Sequence, residues 1–228
     1  MIHPLLSIII PTFNEIHTLP LVLNEVLSLP VDKEVLIVND GSIDGTHEYL
    51  KTIDHESVRV LHHDGNYGKG LAIRTALCHV RGQFVTIQDA DLEYAPTDLL
   101  IMLRAAQQRD SVVYGSRNLN KTNGISYVRY WLGGVLLSHL ANGLYGLALT
   151  DVCTGQKLFR TEVLKAIRLE CMGFEFEAEV TAKLAKRHIP IQEVPISYTP
   201  RKFVDGKKIR ARDGLKAGWV LLKLRLFE

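Results

Sequence analysis

Residues 84 to 91 read Phe84-Val85-Thr86-Ile87-Gln88-Asp89-Ala90-Asp91 and join an apolar run to a pair of carboxylates. The apolar run predicts a buried strand, and Asp89 and Asp91 lie two positions apart, so they point to the same side of an extended chain. In open α/β sheets, ligand sites form at the carboxyl ends of such strands. Paired carboxylates there suit Mg²⁺ or Mn²⁺, which bind a few carboxylates together with substrate phosphates. Taken alone, the tripeptide Asp89-Ala90-Asp91 is also explained as a turn, so the rest of the chain must decide.

The bulk composition is that of a globular domain. The 228 residues are 46% hydrophobic and 23% charged, which predicts one sizeable α/β domain and argues against disorder or a coiled coil. The net charge of +2 is too small for a protein that binds nucleic acid over its whole surface. Cys78, Cys153 and Cys171 are too few and too scattered for a disulfide framework or a zinc site, which fits a reducing cytosol. Met1 to Pro4 lack the charged start of a signal peptide.

Strands and helices alternate through the first half of the chain. Apolar, β-branched runs predict the strands, and apolar residues at helical spacing predict the helices between them. Such alternation is typical of a parallel sheet with helices on both faces. The predicted strands are 6–13, 34–38, 58–62, 84–88 and 111–114, and the predicted helices are 17–29, 44–53, 71–80 and 99–106.

The second half opens with an apolar stretch. Residues 131–150 contain no Asp, Glu, Lys or Arg, but they include polar side chains and four glycines. A membrane span needs about 20 predominantly apolar residues, and the glycines and polar residues lower the hydropathy below that of a typical span. We interpret the stretch as a helix or helix pair that is buried or lies against a membrane surface. Beyond it, the pattern predicts strands at 157–160 and 189–198, and helices at 162–167, 175–187 and 214–227.

The last predicted helix is basic and amphipathic. It fits a terminal helix docked on the domain, and it also fits a helix that contacts a membrane. Further basic residues crowd in front of it, namely Arg201, Lys202, Lys207, Lys208, Arg210 and Arg212.

Two further polar segments follow predicted strands. Residues 11–15 (Pro-Thr-Phe-Asn-Glu) end the first strand, and residues 39–46 end the second. Asp40 can accept hydrogen bonds from a nucleobase imide or a ribose hydroxyl, and Gly41 and Gly45 permit tight turns. Turn chemistry alone also explains an Asp-Gly pair, but beside a metal-type carboxylate pair the segment favours nucleotide binding.

Residues 66–70 (Asn-Tyr-Gly-Lys-Gly) precede a predicted helix. Their glycines and Lys69 suit a diphosphate at a helix N-terminus. The segment is not a P-loop, because the spacing of Gly65 and Lys69 is short and Gly70 stands where Ser or Thr is required.

Together these motifs resemble the family-2 glycosyltransferases of the GT-A fold, an α/β fold with a mostly parallel central sheet. Within that family the chain is most similar to the dolichyl- and polyprenyl-phosphate mannosyl- and glucosyltransferases. The resemblance implies one domain over 1–228, with a nucleotide-sugar half (1–118), an acceptor half (119–212) and a C-terminal helix (213–228). The residues that carry it are 11–15, 40–46, 68–70, 89–93, 115–117, 154–155, 159–160, 176–179, 194–196, 201 and 206–208.

The resemblance implies a nucleoside diphosphate sugar as donor, of the GDP-mannose or UDP-glucose type, and Mg²⁺ or Mn²⁺ as cofactor. By motif position, Asp89 and Asp91 would hold the metal and act in catalysis. Glu93 would be a third ligand, at a position where many relatives carry Gln. Asp40 would contact the base or the ribose, and the rest of the donor pocket would include Pro11, Phe13, Glu15, Lys69 and Ala90.

The implied acceptor is a polyprenyl or dolichyl phosphate. Arg117, Arg129 and Arg201 match family positions suited to its phosphate, with Arg117 also expected in catalysis, because arginine gives forked and permanently charged contacts. Each arginine also has a structural alternative. Arg117 would cap the end of the fifth predicted strand, and Arg129 would be a surface anchor beside the apolar stretch 131–150. Glu179 matches a recurrent family carboxylate near the acceptor or the sugar, whereas Glu177 replaces a frequent Gln.

The implied reaction inverts the anomeric carbon. A phosphate monoester is already ionised near neutral pH, with a second pKa near ~6, and needs no strong base. A hydroxyl acceptor would need one, and Glu179 would be the candidate. Two alternatives therefore stay open: a soluble family-2 glycosyltransferase acting on a sugar hydroxyl, and a non-catalytic sugar-nucleotide-binding subunit. A nucleotidyltransferase is disfavoured, because Asn14-Glu15 stands where its Gly-rich loop belongs.

Related synthases often add C-terminal transmembrane helices, whereas this sequence stops at Glu228. We therefore expect a cytoplasmic protein, peripherally associated with the cytoplasmic face of a membrane, or one that relies on a membrane-anchoring partner protein.

Overall fold

Apolar runs place the first strands in the interior of the molecule. The computed structural model describes residues 3–109, 112–124, 127–201 and 208–227. Within these ranges seven strands form one sheet. They are β1 (Leu6–Thr12), β2 (Lys33–Asp40), β3 (Val58–His63), β4 (Phe84–Ile87), β5 (Val112–Ser116), β6 (Lys157–Arg160) and β7 (Ile191–Pro195).

Helices follow most of the strands, as the alternation predicts. The described helices are α1 (Leu19–Ser28), α2 (Thr46–Lys51), α3 (Lys69–Leu77), α4 (Asp98–Arg109), α5 (Val128–Tyr145), α6 (Thr161–Ala166), α7 (Phe176–Lys186) and α8 (Ala211–Leu226). None of them is both long enough and apolar enough to cross a membrane.

The strands lie in the order β3-β2-β1-β4-β6-β5-β7. Strand β1 pairs in parallel with β2 on one side and with β4 on the other, so that Ile9 lies opposite both Leu36 and Ile87. The carboxyl ends of β1, β2 and β4 therefore meet at one edge of the sheet, where the predicted donor and metal residues follow them. The prediction of a mostly parallel sheet is confirmed.

Strand β6 is the exception, because it runs antiparallel between β4 and β5. The sequence predicts a strand at these residues but not its direction. Its placement brings the segment just before Lys157 next to the end of β4, which is where the acidic pair lies.

Two apolar cores cover the two faces of the sheet. Ile8 and Ile10 of β1 pack into the core that includes residues of α1 and α4. Ile9, which points the other way, packs into the core that includes residues of α3, α7 and α8. This alternation follows from the two-residue period of a strand and confirms helices on both faces.

Helix boundaries differ from the sequence prediction at two places that matter for the site. The helix predicted at 71–80 begins at Lys69, so this lysine belongs to its first turn. The apolar stretch 131–150 lies largely within α5, where Ser138 and Ala141 are the buried residues. Helix α8 packs against α5, and its Gly214 and Gly218 face the leucines of that helix. The resemblance at 206–207 falls outside the described residues.

Glu34 on β2 offers a test of the fold. Its carboxylate is buried and accepts hydrogen bonds from the Ser7 hydroxyl (2.6 Å), the Arg81 backbone N–H (2.6 Å) and the Arg81 Nε (2.8 Å). Burial alone would raise the pKa of Glu34, but these hydrogen bonds outweigh it and lower that pKa. Replacing Glu34 by Gln should reduce the free energy of unfolding near neutral pH by about 2 kcal/mol, because charge-assisted bonds are lost.

The same carboxylate predicts a pH dependence. A lowered native pKa contributes stability above the unfolded pKa of about 4, and that contribution disappears as the pH falls. Urea unfolding of wild type and Glu34→Gln should therefore differ at neutral pH and converge in acid. An equal difference at both pH values would contradict the assignment. Glu25→Gln, at an exposed position of α1, serves as the control with little effect.

Candidate active site

A cleft of about 1120 Å³ opens at the carboxyl ends of β1, β2 and β4. Its walls contain residues from both halves of the chain, so the site is built by the fold rather than by one segment. Of the residues predicted for the site, the cleft brings together Pro11, Phe13, Glu15, Asp40, Lys69, Asp89, Ala90, Asp91, Glu93, Arg117, Arg129 and Arg201.

The acidic pair lies just beyond β4. Ala90 between the two carboxylates is buried, and the Glu93 backbone N–H donates to Asp91 Oδ1 (3.1 Å). Leu92, which lies between Asp91 and Glu93, has a φ of 60°, a backbone conformation that residues other than glycine rarely adopt. A tight, strained turn therefore fixes the position of the two carboxylates.

Asp91 is poorly suited to carry a negative charge without a cation. Burial and the neighbouring carboxylates Asp89 and Glu93 raise the pKa of Asp91 to about 7, although Arg201 acts in the opposite direction. Nη2 of Arg201 lies 3.3 Å from Asp91 Oδ2. Two hard oxygen donors that repel each other are a donor set that fits Mg²⁺ or Mn²⁺.

Glu93 is turned toward a different segment. Its carboxylate accepts hydrogen bonds from the Tyr198 hydroxyl (2.9 Å) and from the Arg201 backbone N–H (2.7 Å). Among the described residues, no three His, Cys, Asp or Glu side chains form a group that could hold a metal ion. The arrangement thus favours two carboxylates completed by substrate oxygens, and a third ligand role for Glu93 would require it to leave these partners.

A chain of buried charges continues from the acidic pair. Lys69 Nζ lies 2.7 Å from Asp89 Oδ1 and 3.2 Å from Glu177 Oε1. Burial opposes the charge of Lys69, but Asp89 and Glu177 together raise the pKa of this lysine. Lys157, which is fully buried, lies 2.5 Å from Glu177 Oε2, and burial lowers the pKa of Lys157 despite that partner. Glu177 is therefore held from one side while its other oxygen faces Lys69.

Asp40 joins β2 to the loop that leads into α3. Its carboxylate accepts hydrogen bonds from the backbone N–H groups of Tyr67 (3.0 Å) and Gly68 (2.7 Å), and His63 Nδ1 lies 2.7 Å away. A Cβ on Gly41 would collide with the backbone of Gly65 in that loop. Asp40 thus lines the cleft while it positions the loop, and its predicted contact with the base or ribose stays a prediction.

Glu15 ties the C-terminal segment to the donor side of the cleft. Arg201 donates to both Glu15 oxygens through Nη1 (3.0 Å) and Nη2 (2.9 Å). Lys208 Nζ contacts Glu15 Oε1 at 2.5 Å and also donates to the Phe13 carbonyl oxygen. Arg201 therefore lies between Glu15 and Asp91, at the border between the predicted donor and acceptor sides.

Arg117, just beyond β5, is held in a fixed orientation in the same cleft. Its Nε and Nη2 donate to the two oxygens of buried Asp151, both at 2.7 Å, and its guanidinium lies 5.2 Å from the Tyr198 ring centroid. Glu193 of β7 accepts a hydrogen bond from the Asp151 backbone N–H (2.8 Å). Arg129, on α5, is exposed. Its guanidinium lies 5.6 Å from the Tyr127 ring centroid and 5.1 Å from the Tyr130 ring centroid.

Glu179 is the predicted site residue that the structure does not bring into the cleft. Its oxygens accept hydrogen bonds from the backbone N–H groups of Glu170 (2.8 Å) and Cys171 (2.9 Å), and Lys183 pairs with it at 2.8 Å. With 1% of its surface exposed, Glu179 fixes the loop before α7. The carboxylate of this helix that lines the cleft is Glu177.

The charged residues of the site that sequence reasoning missed include Glu177, Lys157 and Asp151. Glu177 lies two positions from the predicted Glu179, and the sequence offers no signal that chooses between them before the rotation of α7 is known. Lys157 and Asp151 carry no motif of their own. The weak signal for Asp151 is its position at the end of a long apolar stretch, where a buried carboxylate needs a cation.

Comparison with known proteins finds relatives along most of the chain. The family described as Glycosyl transferase family 2 matches residues 7–168. An undecaprenyl-phosphate mannosyltransferase from Micrococcus luteus is 32% identical over 243 residues, which cover 96% of this chain and 97% of that protein. A polyprenol monophosphomannose synthase from Mycolicibacterium smegmatis is 31% identical over 230 residues, which cover 93% of this chain and 85% of that protein.

The fold is also found among solved structures. Glucosyl-3-phosphoglycerate synthase from Mycobacterium tuberculosis, solved with Mn²⁺, uridine diphosphate and phosphoglyceric acid, aligns with a TM-score of 0.73 at 18% identity. The alignment covers 99% of this chain and 80% of that one. This likeness confirms the GT-A fold predicted from the sequence.

Proposed function

The chain belongs to glycosyl transferase family 2, and we propose that it transfers a hexose from a nucleoside diphosphate sugar to a polyprenyl phosphate with the help of a divalent cation. The observation that carries this proposal is one cleft whose lining brings together the acidic pair, the cations Lys69, Arg117 and Arg201, and residues of helices α5 and α8. Two relatives named for transfer of mannose to a polyprenyl phosphate or polyprenol support the acceptor class.

The donor fits the side of the cleft formed by β1, β2 and β4. Phe13 and Pro11 supply apolar surface for a nucleoside, and Asp40 offers carboxylate oxygens beside them. Asp89 and Asp91 would hold Mg²⁺ or Mn²⁺, which supplies positive charge where the departing nucleoside diphosphate gains negative charge. The solved structure with Mn²⁺ and uridine diphosphate supports this pairing of metal and diphosphate.

The acceptor fits the wall that carries the arginines. Arg117 presents the edge of a guanidinium whose other edge is fixed by Asp151, and Arg129 and Arg201 line the same cleft. A phosphate monoester is ionised near neutral pH, with a second pKa near ~6, so its oxygen can attack the anomeric carbon without a general base. The residues of the chain therefore contribute mainly positioning and charge neutralisation.

The mouth of the cleft fits a membrane surface. On α5, the large apolar side chains Val128, Trp131, Leu132 and Leu136 are exposed at helical spacing. On α8, Leu215, Trp219 and Leu226 are exposed in the same way. Arg212, Lys216 and Lys223 are exposed on α8 as well. Apolar and aromatic side chains flanked by basic ones suit the interface of an anionic bilayer, from which a lipid phosphate reaches the cleft.

The function is tested by following the sugar into the lipid. Purified protein is incubated with radiolabelled GDP-mannose or UDP-glucose, Mn²⁺ and a polyprenyl phosphate, and the products are extracted into organic solvent. Label in the organic phase that mild acid releases is the expected result. It should disappear when a chelator removes the metal and return when Mg²⁺ or Mn²⁺ is added.

The matched control replaces the acceptor by the corresponding polyprenol, which keeps the lipid tail but lacks the phosphate. Transfer to a water-soluble glycan, with none to the lipid phosphate, would instead identify a glycosyltransferase acting on a sugar hydroxyl. Binding of the nucleotide sugar without turnover on any acceptor would identify a binding subunit.

Membrane contact predicts the behaviour of a double variant. Leu132→Ser with Trp219→Ser removes one exposed apolar side chain from each helix, at positions outside the cleft lining. Vesicle flotation with anionic lipid should show binding weakened about a hundredfold or more, because each side chain contributes about 1.5–3 kcal/mol when buried. Leu21→Ser with Ile43→Ser, exposed on other elements, should float like wild type. Equal flotation of the first variant would place the membrane contact elsewhere.

A further inference from the structure

We propose that Lys69 occupies the acidic pair when no donor is bound and exchanges partners when donor and metal bind. In this exchange the divalent cation takes the place of the ammonium at Asp89, and the ammonium turns to the diphosphate. Lys69 would thereby couple the binding of metal to the binding of nucleotide. The inference rests on the proposed function, because it requires that this cleft binds a divalent cation and a nucleoside diphosphate.

The first observation is the position of Lys69. Its ammonium lies 2.7 Å from Asp89 Oδ1, which is one of the two oxygens of a residue expected to hold the cation. Two positive ions cannot share a carboxylate oxygen at contact distance without strong repulsion in a site shielded from water. Asp89 Oδ2 lies against Gly155, so a cation that binds Asp89 through Oδ1 would have to displace Lys69.

The second observation is that the contact is closely packed. The side chain of Lys69 is 10% exposed and that of Asp89 is 19% exposed. A Cβ at Gly155 would collide with Asp89 Oδ2 and would lie 3.1 Å from Lys69 Nζ. The ion pair is thus pressed against a glycine backbone, and it is not a loose surface contact.

The third observation concerns the charge that Lys69 would leave behind. Its second partner, Glu177, is also bound by Lys157 at 2.5 Å through the other carboxylate oxygen. Lys157 in turn donates to the carbonyl oxygens of Val152 (3.0 Å) and Thr154. Glu177 therefore keeps a buried cation at Oε2 when Lys69 moves.

Asp91 contacts a different cation from the one that Asp89 contacts. Arg201 Nη2 lies 3.3 Å from Asp91 Oδ2, and Arg201 makes two shorter contacts with Glu15. Arg201 is thus held mainly by Glu15, so that the contact which must open for the metal is the one between Lys69 and Asp89.

The Lys69→Met variant removes the charge and keeps the apolar stem. The exchange predicts that this variant binds Mn²⁺ more tightly than wild type and binds the nucleotide more weakly. Calorimetric titration with Mn²⁺ alone should show binding on the order of tenfold tighter than wild type, because the competing ammonium is gone. Titration with GDP or UDP at saturating Mn²⁺ should show binding on the order of tenfold weaker, because the diphosphate has lost a cation. Lys69→Gln, a second neutral variant, should behave in the same way.

Lys183→Met is the matched control. Lys183 pairs with Glu179 at 2.8 Å and is 12% exposed, so it is a similarly shielded lysine that lies outside the cleft lining. Its loss should leave both affinities within about twofold of wild type, since a charge outside the site acts weakly.

Two results separate failure of the exchange from failure of the function. If wild type binds Mn²⁺ and nucleotide, but neither neutral variant binds Mn²⁺ alone more tightly, the exchange is overturned and the proposed function stands. If wild type binds neither Mn²⁺ nor nucleoside diphosphate, the proposed function is overturned and the exchange with it.

Discussion

Replacing Asp91 by Asn is expected to lower kcat/KM on the order of a thousandfold or more, while the folded protein stays at least as stable as wild type. The loss of activity follows from the loss of one of the two carboxylates that would hold the cation on the donor diphosphate. The retained stability follows from the surroundings of Asp91, because burial and the carboxylates Asp89 and Glu93 raise its pKa to about 7.

The sign of the stability effect can be worked out from that raised pKa. A carboxyl whose native pKa lies above its unfolded value of about 4 destabilises the native state as the pH rises toward 7 and above. Asn carries no such charge, so in the presence of a chelator the variant should gain stability relative to wild type at alkaline pH. Thermal unfolding measures this difference, and the radiolabel assay measures the activity.

Asp98→Asn is the control for Asp91→Asn. Asp98 is also a buried aspartate whose pKa is raised by burial, but it accepts a hydrogen bond from the Ser197 backbone N–H (2.6 Å) and lies outside the cleft lining. It should keep most of the activity. An Asp91→Asn variant that kept a tenth of wild-type kcat/KM or more would reject the metal assignment.

Replacing Arg117 by Lys should lower kcat/KM for the polyprenyl phosphate on the order of a hundredfold, with little change in the affinity for the nucleotide. In the structure, Asp151 takes two donors of the Arg117 fork at 2.7 Å each. A single ammonium at this position can pair with Asp151 or with the acceptor phosphate, but it lacks the second edge that would serve both. The charge is conserved, so the measurement isolates the geometry of the fork.

The acceptor dependence of the rate and the binding of nucleotide are measured separately for Arg117→Lys. Arg160→Lys, at a position over the Phe84 ring (5.4 Å) and away from the cleft, is the control and should resemble wild type. Asp151→Asn keeps the guanidinium but weakens its anchor, so its loss should be intermediate. A nucleotide affinity that fell together with the acceptor rate would mean that Arg117 serves the donor, contrary to the proposal.

The elements that the sequence located correctly are those with a strong local pattern. Strand β6 begins and ends at the predicted residues, Lys157–Arg160. The direction of β6 was not predictable, because antiparallel insertion between β4 and β5 depends on the path of the chain through α5. Helix α3 begins two residues before its predicted start, because its first turn is set by the loop hydrogen-bonded to Asp40.

In the candidate site, too, local patterns located some residues correctly, while others depended on the tertiary structure. Most predicted site residues line one cleft because they follow parallel strands or belong to motifs that implied the family. Glu179 was placed there by its match to a family position, and the rotation of α7 gives that place to Glu177 instead. Spacing along the chain does not distinguish two carboxylates two residues apart on a helix when the position of the helix on the sheet is unknown.

The sequence by itself determined where most strands lie along the chain, the acidic pair at the end of a buried strand, and the family. These depend on local patterns, since the period of a strand and the apolar run before Asp89 are written within a few residues. Only the tertiary structure decided which charges meet: Lys69 with Asp89 and Glu177, Arg117 with Asp151, and Arg201 with Glu15 and Asp91. Arg201 and Asp91 are 110 residues apart, and an ion pair depends on distance in space, which the order of residues along the chain does not fix.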